Sequence, residues 1–427
     1  MMVLPVVPLL SLFCCLLVTG TMGREKERPA IVLVPGLCGS VLEVELDHAK
    51  RSPHLYCEAE SDGYKLAWVD IGSLVPGQKD CLLAHLTPTF DVESYGNARG
   101  VKIMSHYDPR GVGAIEYLDP KIKKEVSAYF ADMINFLEAL GYERGLDLFG
   151  AGYDWRMAPD AHVSDFYPYL KTLIEDTGKK TVLIAHSLGG PTTLDFLTNY
   201  VDSEWLAAHV ESFVSLAAPF GGSARLMKAY VSGDNFDYSF IPMDYLKPVE
   251  QAAPSGVYLL PDAETFGENL VILRTPSHNY TVRDAPKLFD DLGLNQAQRI
   301  LKALLDKNLT LASLRAPPIT TYVLSSFGVR TPLTFTYASD FEPGFDDIPQ
   351  STTYADGDGV VNIDSLTHVE QAWQQNNKVT FQHFDTIEHF NMVKDQRIFD
   401  FLQSTVLKRQ QIPGGQIPTP VISVKHK

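Results

Sequence analysis

Thr181-Val182-Leu183-Ile184-Ala185-His186-Ser187-Leu188-Gly189-Gly190 is the stretch that decides the fold. A run of β-branched and apolar residues stops at a small-x-Ser-x-Gly turn. Beyond Pro191, Thr192 to Tyr200 predicts a helix, with Leu194, Leu197 and Tyr200 near one face. Strand, sharp turn and helix with a serine at the apex form a nucleophile elbow. The turn is crowded, so its flanking positions must be small, as Ala185 and Gly189 are. It lifts the Ser187 hydroxyl off the sheet and sets the Leu188 N–H at a helix start, facing a developing oxyanion. The plain alternative is a serine in an ordinary βα loop; the strand before it and the helix after it favour the elbow.

Working outward, Ala30-Ile31-Val32-Leu33-Val34, Asp147 to Gly150, Phe213 to Ala217, Thr320 to Leu324 and Val379 to Gln382 read as further strands. Helical spacing of apolar residues predicts helices over Glu125 to Leu140, Asp165 to Asp176 and Arg397 to Leu407. This alternation predicts an α/β-hydrolase fold, a mostly parallel sheet with helices on both faces. The expected division runs through a core first part over residues 24–222, with a lid loop at 57–81. A cap insertion follows at 223–318, including a short helix over Gln296 to Leu305. The second core part covers 319–408, and a flexible tail covers 409–427.

A serine hydroxyl needs a base to take its proton, and the base needs a carboxylate to orient it. In this fold the chain order is serine, acid, histidine. Asp358, in the tight turn Asp356-Gly357-Asp358-Gly359, is the expected acid, with Asp356 the alternative. A Ca²⁺ loop is the competing reading of this turn, but further acidic ligands at the required spacing are missing. His389, in a loop before the final helix, is the expected base; His383 and His368 are rivals, and His186 is expected to point away from its neighbour Ser187. The turn Pro35-Gly36-Leu37-Cys38-Gly39-Ser40 after the first strand would supply the second oxyanion amide, from Leu37. The chain has no metal-binding, Walker or dinucleotide pattern, so the reading needs no cofactor and no metal.

The 427 residues carry a net charge of −16, which excludes a basic nucleic-acid-binding face; no nucleotide site is expected either. The first 23 residues carry no charged side chain, and Val3 to Val18 is apolar. That predicts a signal peptide, with an uncleaved anchor as the alternative. Past it remain Cys38, Cys57 and Cys81. Cys57 and Cys81 bracket a loop rich in Gly, Asp and Ser and are expected to pair, leaving Cys38 either a reactive thiol beside the turn or a small buried residue. Trp68 inside that loop either sits at an apolar tip covering a lipid site or packs inward. Asn279 and Asn308 begin Asn-x-Thr sequons, compatible with glycosylation in the secretory pathway, in a secreted or lysosomal/vacuolar protein.

These residues together resemble the lecithin–cholesterol acyltransferase family, which includes lysosomal phospholipase/transacylases. The resemblance rests on Val34-Pro35-Gly36-Leu37-Cys38-Gly39-Ser40, Cys57 and Cys81 around Trp68, Tyr153-Asp154-Trp155-Arg156, Ala185 to Gly190, Ala218 to Ser223, Gly357-Asp358-Gly359 and His389-Phe390-Asn391-Met392. It implies Ser187, Asp358 and His389 as a triad and Leu37 and Leu188 as the oxyanion hole. It also implies phospholipase A-type cleavage of glycerophospholipid at a phospholipid membrane or lipoprotein surface, the acyl group passing to water or a lipid alcohol. Two departures stand out. The lysosomal members carry Asp where Leu37 stands, so an acid optimum is not implied, and the family's second disulfide has no cysteines here. A neutral-lipid lipase, a sterol O-acyltransferase, a peptidase and a non-catalytic lipid-binding protein are the alternatives on the same scaffold.

Overall fold

The computed structural model describes residues 28–408, apart from 51–52, 76, 92–93, 106, 123–124, 237, 239–240 and 244. The expected signal peptide (1–23) and C-terminal tail (409–427) lie outside the described residues. Among the described residues no helix is long and apolar enough to cross a membrane.

Six parallel strands form the central sheet: β1 (Ala30–Val34), β2 (Leu148–Gly150), β3 (Thr181–His186), β4 (Val210–Leu216), β5 (Thr321–Phe327) and β6 (Val379–Asp385). Their order across the sheet is β2-β1-β3-β4-β5-β6. β1 and β3 are buried at every position, the signature of strands covered on both faces. Helices pack on those faces. Phe166–Asp176 buries Phe166, Tyr167, Leu170, Leu173 and Ile174. Tyr169 on the same helix is only half-buried and donates its hydroxyl to the Pro109 carbonyl (2.7 Å).

Several boundaries shift for identifiable reasons. The helix after the elbow starts at Gly189, not beyond Pro191. Pro191 falls in the first turn, where a missing N–H costs nothing. The helix expected from Glu125 begins only at Ala131, after a short 3₁₀ turn at Glu125–Ser127. Upstream of it, Ala128 pairs with Tyr117 in an antiparallel bridge and Val126 is exposed, so that part of the apolar spacing does not mark a helix face.

A second sheet has the order Asn279–Thr281, Val271–Arg274, Val329–Thr336, Ser351–Gly357. Two of its strands come from the segment expected as the cap (223–318) and two from the segment expected as the second core part. The hairpin of Val329–Thr336 with Ser351–Gly357 shifts register next to Pro332, which lacks an N–H for the ladder. The hairpin's return strand ends at Gly357, directly before Asp358.

A third, three-stranded sheet (Lys65–Trp68, Leu42–Leu46, Val101–Met104) lies in the excursion between β1 and β2. Arg156, fully buried, ties part of this excursion down. Its guanidinium donates to the Leu86 carbonyl (2.7 Å), to Asn97 Oδ1 (2.7 Å) and to both carboxylate oxygens of Asp154 (2.8 and 2.5 Å). Lysine has no planar fork and could not make this set. Removing one partner of a buried pair leaves the other charge uncompensated, so Arg156→Met is expected to cost about 3–5 kcal/mol in urea unfolding. A change within about 0.5 kcal/mol, the range of ordinary surface substitutions, would refute this account of Arg156.

Candidate active site

β3 and β1 run in register, with Val34 beside Ala185, so both strands end at one level and their turns abut. Ser187 sits between β3 and the helix Gly189–Asp195 with φ 55°, a left-handed conformation that costs a non-glycine residue about 1–3 kcal/mol. Two hydrogen bonds hold it there. Its N–H donates to the Leu216 carbonyl at the end of β4 (2.9 Å), and its carbonyl accepts from the Gly190 N–H (2.8 Å). Close approach of the turns demands glycine at two places. A Cβ on Gly36 would lie 2.7 Å from Ser187 Cβ, and one on Gly189 would lie 2.4 Å from the Pro35 carbonyl oxygen.

His389 opens a short 3₁₀ turn (His389–Val393) beyond β6. Its Nε2 is 3.0 Å from Ser187 Oγ, and its Nδ1 is 2.7 Å from Asp358 Oδ2. The carboxylate only accepts, so Nδ1 carries the proton and Nε2 presents a lone pair to the serine hydroxyl. Asp358 is fully buried, and its other oxygen accepts the N–H groups of Val360 (3.0 Å) and Val361 (2.7 Å). The His389 N–H also donates to the Asp358 carbonyl (2.9 Å), which sets the spacing of acid and base through the backbone.

The rivals have other partners. Asp356 is exposed and accepts from the N–H groups of Gly328 and Gly357. His383 pairs with Ser325 and Glu370, and His368 with Thr265. His186 points away from Ser187 into the protein, with Nδ1 2.5 Å from the Tyr129 hydroxyl and Nε2 3.0 Å from the His389 carbonyl.

The N–H groups of Leu37 and Leu188 have no hydrogen-bond partner among the described residues. The turn that carries Leu37 is strapped on three sides. Tyr129 accepts from the Gly36 N–H (3.0 Å), Trp68 Nε1 donates to the Cys38 carbonyl (2.8 Å), and Tyr238 donates to the Leu37 carbonyl (3.3 Å). Trp68 therefore departs from the reading that put it at an exposed lid tip. It ends a strand, is fully buried, packs edge-on against Trp155 at 5.2 Å, and satisfies its N–H at the turn. Cys57 and Cys81 are disulfide-bonded, with Cα atoms 5.4 Å apart. Cys38 is buried, and burial, then the charge of Glu250, push its thiol well above the usual range, which argues against a reactive thiolate. Asn279 and Asn308 are both exposed.

A cavity of about 700 Å³ opens beside His389. Phe335, Ile348 and Phe390 give it apolar walls, and Arg225 and Lys228 give it a cationic side. Both cations sit against Asp234, at 2.6 and 3.5 Å. Burial opposes charge on Asp234, but the two cations still hold its carboxyl below the usual range. Sequence reading missed Tyr129, Tyr238, Arg225 and Lys228. Tyr129 and Tyr238 act through contacts far along the chain that no local spacing signals, while Arg225 and Lys228 pair with nearby Asp234 in a segment of loose pattern.

A serine hydroxyl aligned on an imidazole and a carboxylate, at the C-terminal edge of a parallel sheet, is the arrangement of an α/β-hydrolase. One chain of the crystal structure of the Tle4–Tli4 complex superposes with a TM-score of 0.51 at 14% identity, over 90% of this chain and 99% of that one. The family model for lecithin:cholesterol acyltransferase matches residues 64–312 and 294–396. The lysosomal phospholipase A and acyltransferase of Mus musculus is 31% identical over 411 residues, 94% of this chain and 96% of that one. The phosphatidylcholine-sterol acyltransferase of Homo sapiens is 30% identical over 409 residues, 93% of this chain and 89% of that one. The chain belongs to the lecithin:cholesterol acyltransferase family.

Two buried histidines set a pH dependence. Burial, then the neighbouring His389, hold His186 well below the usual range, and burial holds His162 at about 4. Both stay neutral in the folded protein, while the unfolded chain protonates them below about pH 6.5. The unfolded state then binds more protons, so stability falls as pH drops from about 6.5 toward 4, by about 1.4 kcal/mol per unit for each histidine. Urea midpoints measured from pH 7 to pH 5 should fall, and His162→Phe should make the fall shallower by one proton. An unchanged slope in that variant would remove His162 from the account.

Proposed function

We propose that the chain is a serine acyl-hydrolase and acyltransferase that cleaves a fatty-acyl ester of glycerophospholipids. The observation that carries the reading is the line Ser187–His389–Asp358, with His389 and Asp358 on the wall of a cavity that has apolar and cationic sides. His389 takes the proton of Ser187 as Oγ attacks the ester carbonyl. The carbonyl oxygen becomes an oxyanion and rests on the Leu37 and Leu188 N–H groups. His389, its charge stabilised by Asp358, then protonates the departing alcohol and leaves an acyl-enzyme. Water or a lipid alcohol, deprotonated by His389, attacks that ester and frees Ser187. The apolar walls suit an acyl chain, and Arg225 with Lys228 suit a phosphate.

The protein would work peripherally on a phospholipid membrane or lipoprotein surface. Apolar side chains stand exposed at and inside the disulfide-closed loop, among them Leu55, Tyr56, Tyr64 and Val75. The disulfide and two exposed sequons fit a secretory route, ending outside the cell or in a lysosome or vacuole.

Ser187→Ala is expected to lower kcat on phosphatidylcholine by about 10⁵-fold or more while vesicle binding persists. Asp358→Asn, which would favour the wrong imidazole tautomer, should cost about 10⁴-fold. Parallel assays on triacylglycerol and a short soluble ester test the lipase reading, and labelling by a fluorophosphonate tests the non-catalytic one. Retained turnover in Ser187→Ala would end the serine mechanism. In a eukaryotic secretory host, Asn279→Gln and Asn308→Gln should each remove one endoglycosidase-sensitive mobility shift. A wild-type chain without either shift would refute glycosylation there.

A further inference from the structure

Two buried side chains at the floor of the site, His186 and Tyr129, have no part in the proposed mechanism. His186 directly precedes the nucleophile and is fully buried. Its ring lies against the His389 ring, tilted by 51° with centroids 4.8 Å apart. It touches no substrate space, yet both of its nitrogens are bonded to parts of the machinery.

The proton positions follow from the partners. The His389 carbonyl can only accept, so His186 Nε2 carries the hydrogen. Nδ1 is then a bare lone pair and takes the Tyr129 O–H. The Tyr129 oxygen in turn accepts the Gly36 N–H. One directed chain therefore runs from the Gly36 N–H through the Tyr129 hydroxyl and the His186 ring to the His389 carbonyl. It joins the turn of the oxyanion donor, the residue before the nucleophile, and the backbone of the base. The chain requires a neutral imidazole, since a proton on Nδ1 would leave the tyrosine hydrogen without an acceptor. Burial and the nearby His389 keep it neutral. The Tyr129 ring is held independently, packed edge-on against Phe130 at 4.7 Å and Phe390 at 6.4 Å.

We propose that His186 and Tyr129 are positioning residues, a buried strap that sets the Gly36–Leu37 turn and the His389 backbone against Ser187. The inference rests on the serine mechanism proposed above. It assigns no proton transfer to the strap. Its contribution is geometric, and misplacing reacting groups by about 1 Å costs on the order of 100-fold in rate.

The test compares Tyr129→Phe, His186→Gln and His186→Leu in the full chain on a short soluble ester, with Ser187→Ala alongside. Tyr129→Phe keeps the ring and loses only the bridging oxygen. It should lower kcat about 10- to 100-fold, leave KM within about twofold, and slow fluorophosphonate labelling of Ser187 by the same factor as kcat. His186→Gln retains a side-chain N–H for the His389 carbonyl and should keep more kcat than His186→Leu. A merely structural role would lower the melting temperature of all three without this order or this kcat-against-KM split. Wild-type kcat in Tyr129→Phe, or equal activity of the Gln and Leu variants, overturns the strap. Either result leaves the serine mechanism standing as long as Ser187→Ala stays unlabelled. Labelling that persists in Ser187→Ala would instead sink the mechanism itself.

Discussion

The contact between two turns governs this structure. β1 and β3 pair in parallel with Val34 beside Ala185, so Pro35–Gly36 and Ser187–Gly189 are pressed together where the strands end. Gly36 has no room for a methyl group because Ser187 occupies the space, and Gly189 has none because the Pro35 carbonyl does. The proposed donor amide and the proposed nucleophile thus belong to one packed unit whose spacing is the sheet's own strand spacing. That unit tolerates the left-handed backbone of Ser187 because hydrogen bonds from two directions over-determine it.

The remaining machinery is brought to this unit by longer connections. Asp358 arrives at the end of a hairpin that belongs to the second sheet, and His389 arrives from the end of β6. The backbone bond between them, His389 N–H to the Asp358 carbonyl, couples two segments that share no strand pairing of their own. Preorganisation of this kind removes reorganisation from the reaction step, which is where such sites gain most of their rate.

Much of this was legible in the chain. Strands buried on both faces read as nearly unbroken apolar runs, so β1 and β3 stand out locally, and β4 does so through Phe213, Val214 and Leu216. The elbow is a local motif, and serine, acid and histidine follow in the order this fold requires. Asp358 and His389, preferred over Asp356 and His383 for their place relative to strands, are the side chains that line up with Ser187. What was not legible is non-local. Trp68 carries no mark that distinguishes an exposed ring from a buried one, because the acceptor that buries it lies at Cys38. Ser351–Gly357 is largely solvent-facing and polar, so only its partner strand reveals it as sheet. Tyr129 lay in a stretch whose apolar spacing imitates a helix.

The buried thiol of Cys38 has a consequence for how the chain matures. The three cysteines of the described residues admit three one-bridge pairings, and the loops these would close differ by under about 1 kcal/mol in entropy. Spacing alone therefore selects no partner. Cys38 follows β1 directly, and its sulfur leaves solvent once that strand and its turn are packed. An oxidant that arrives afterwards meets only Cys57 and Cys81. In the folded chain the odd thiol is thus insulated from exchange with the bridge by the same packing that shapes the Gly36–Leu37 turn.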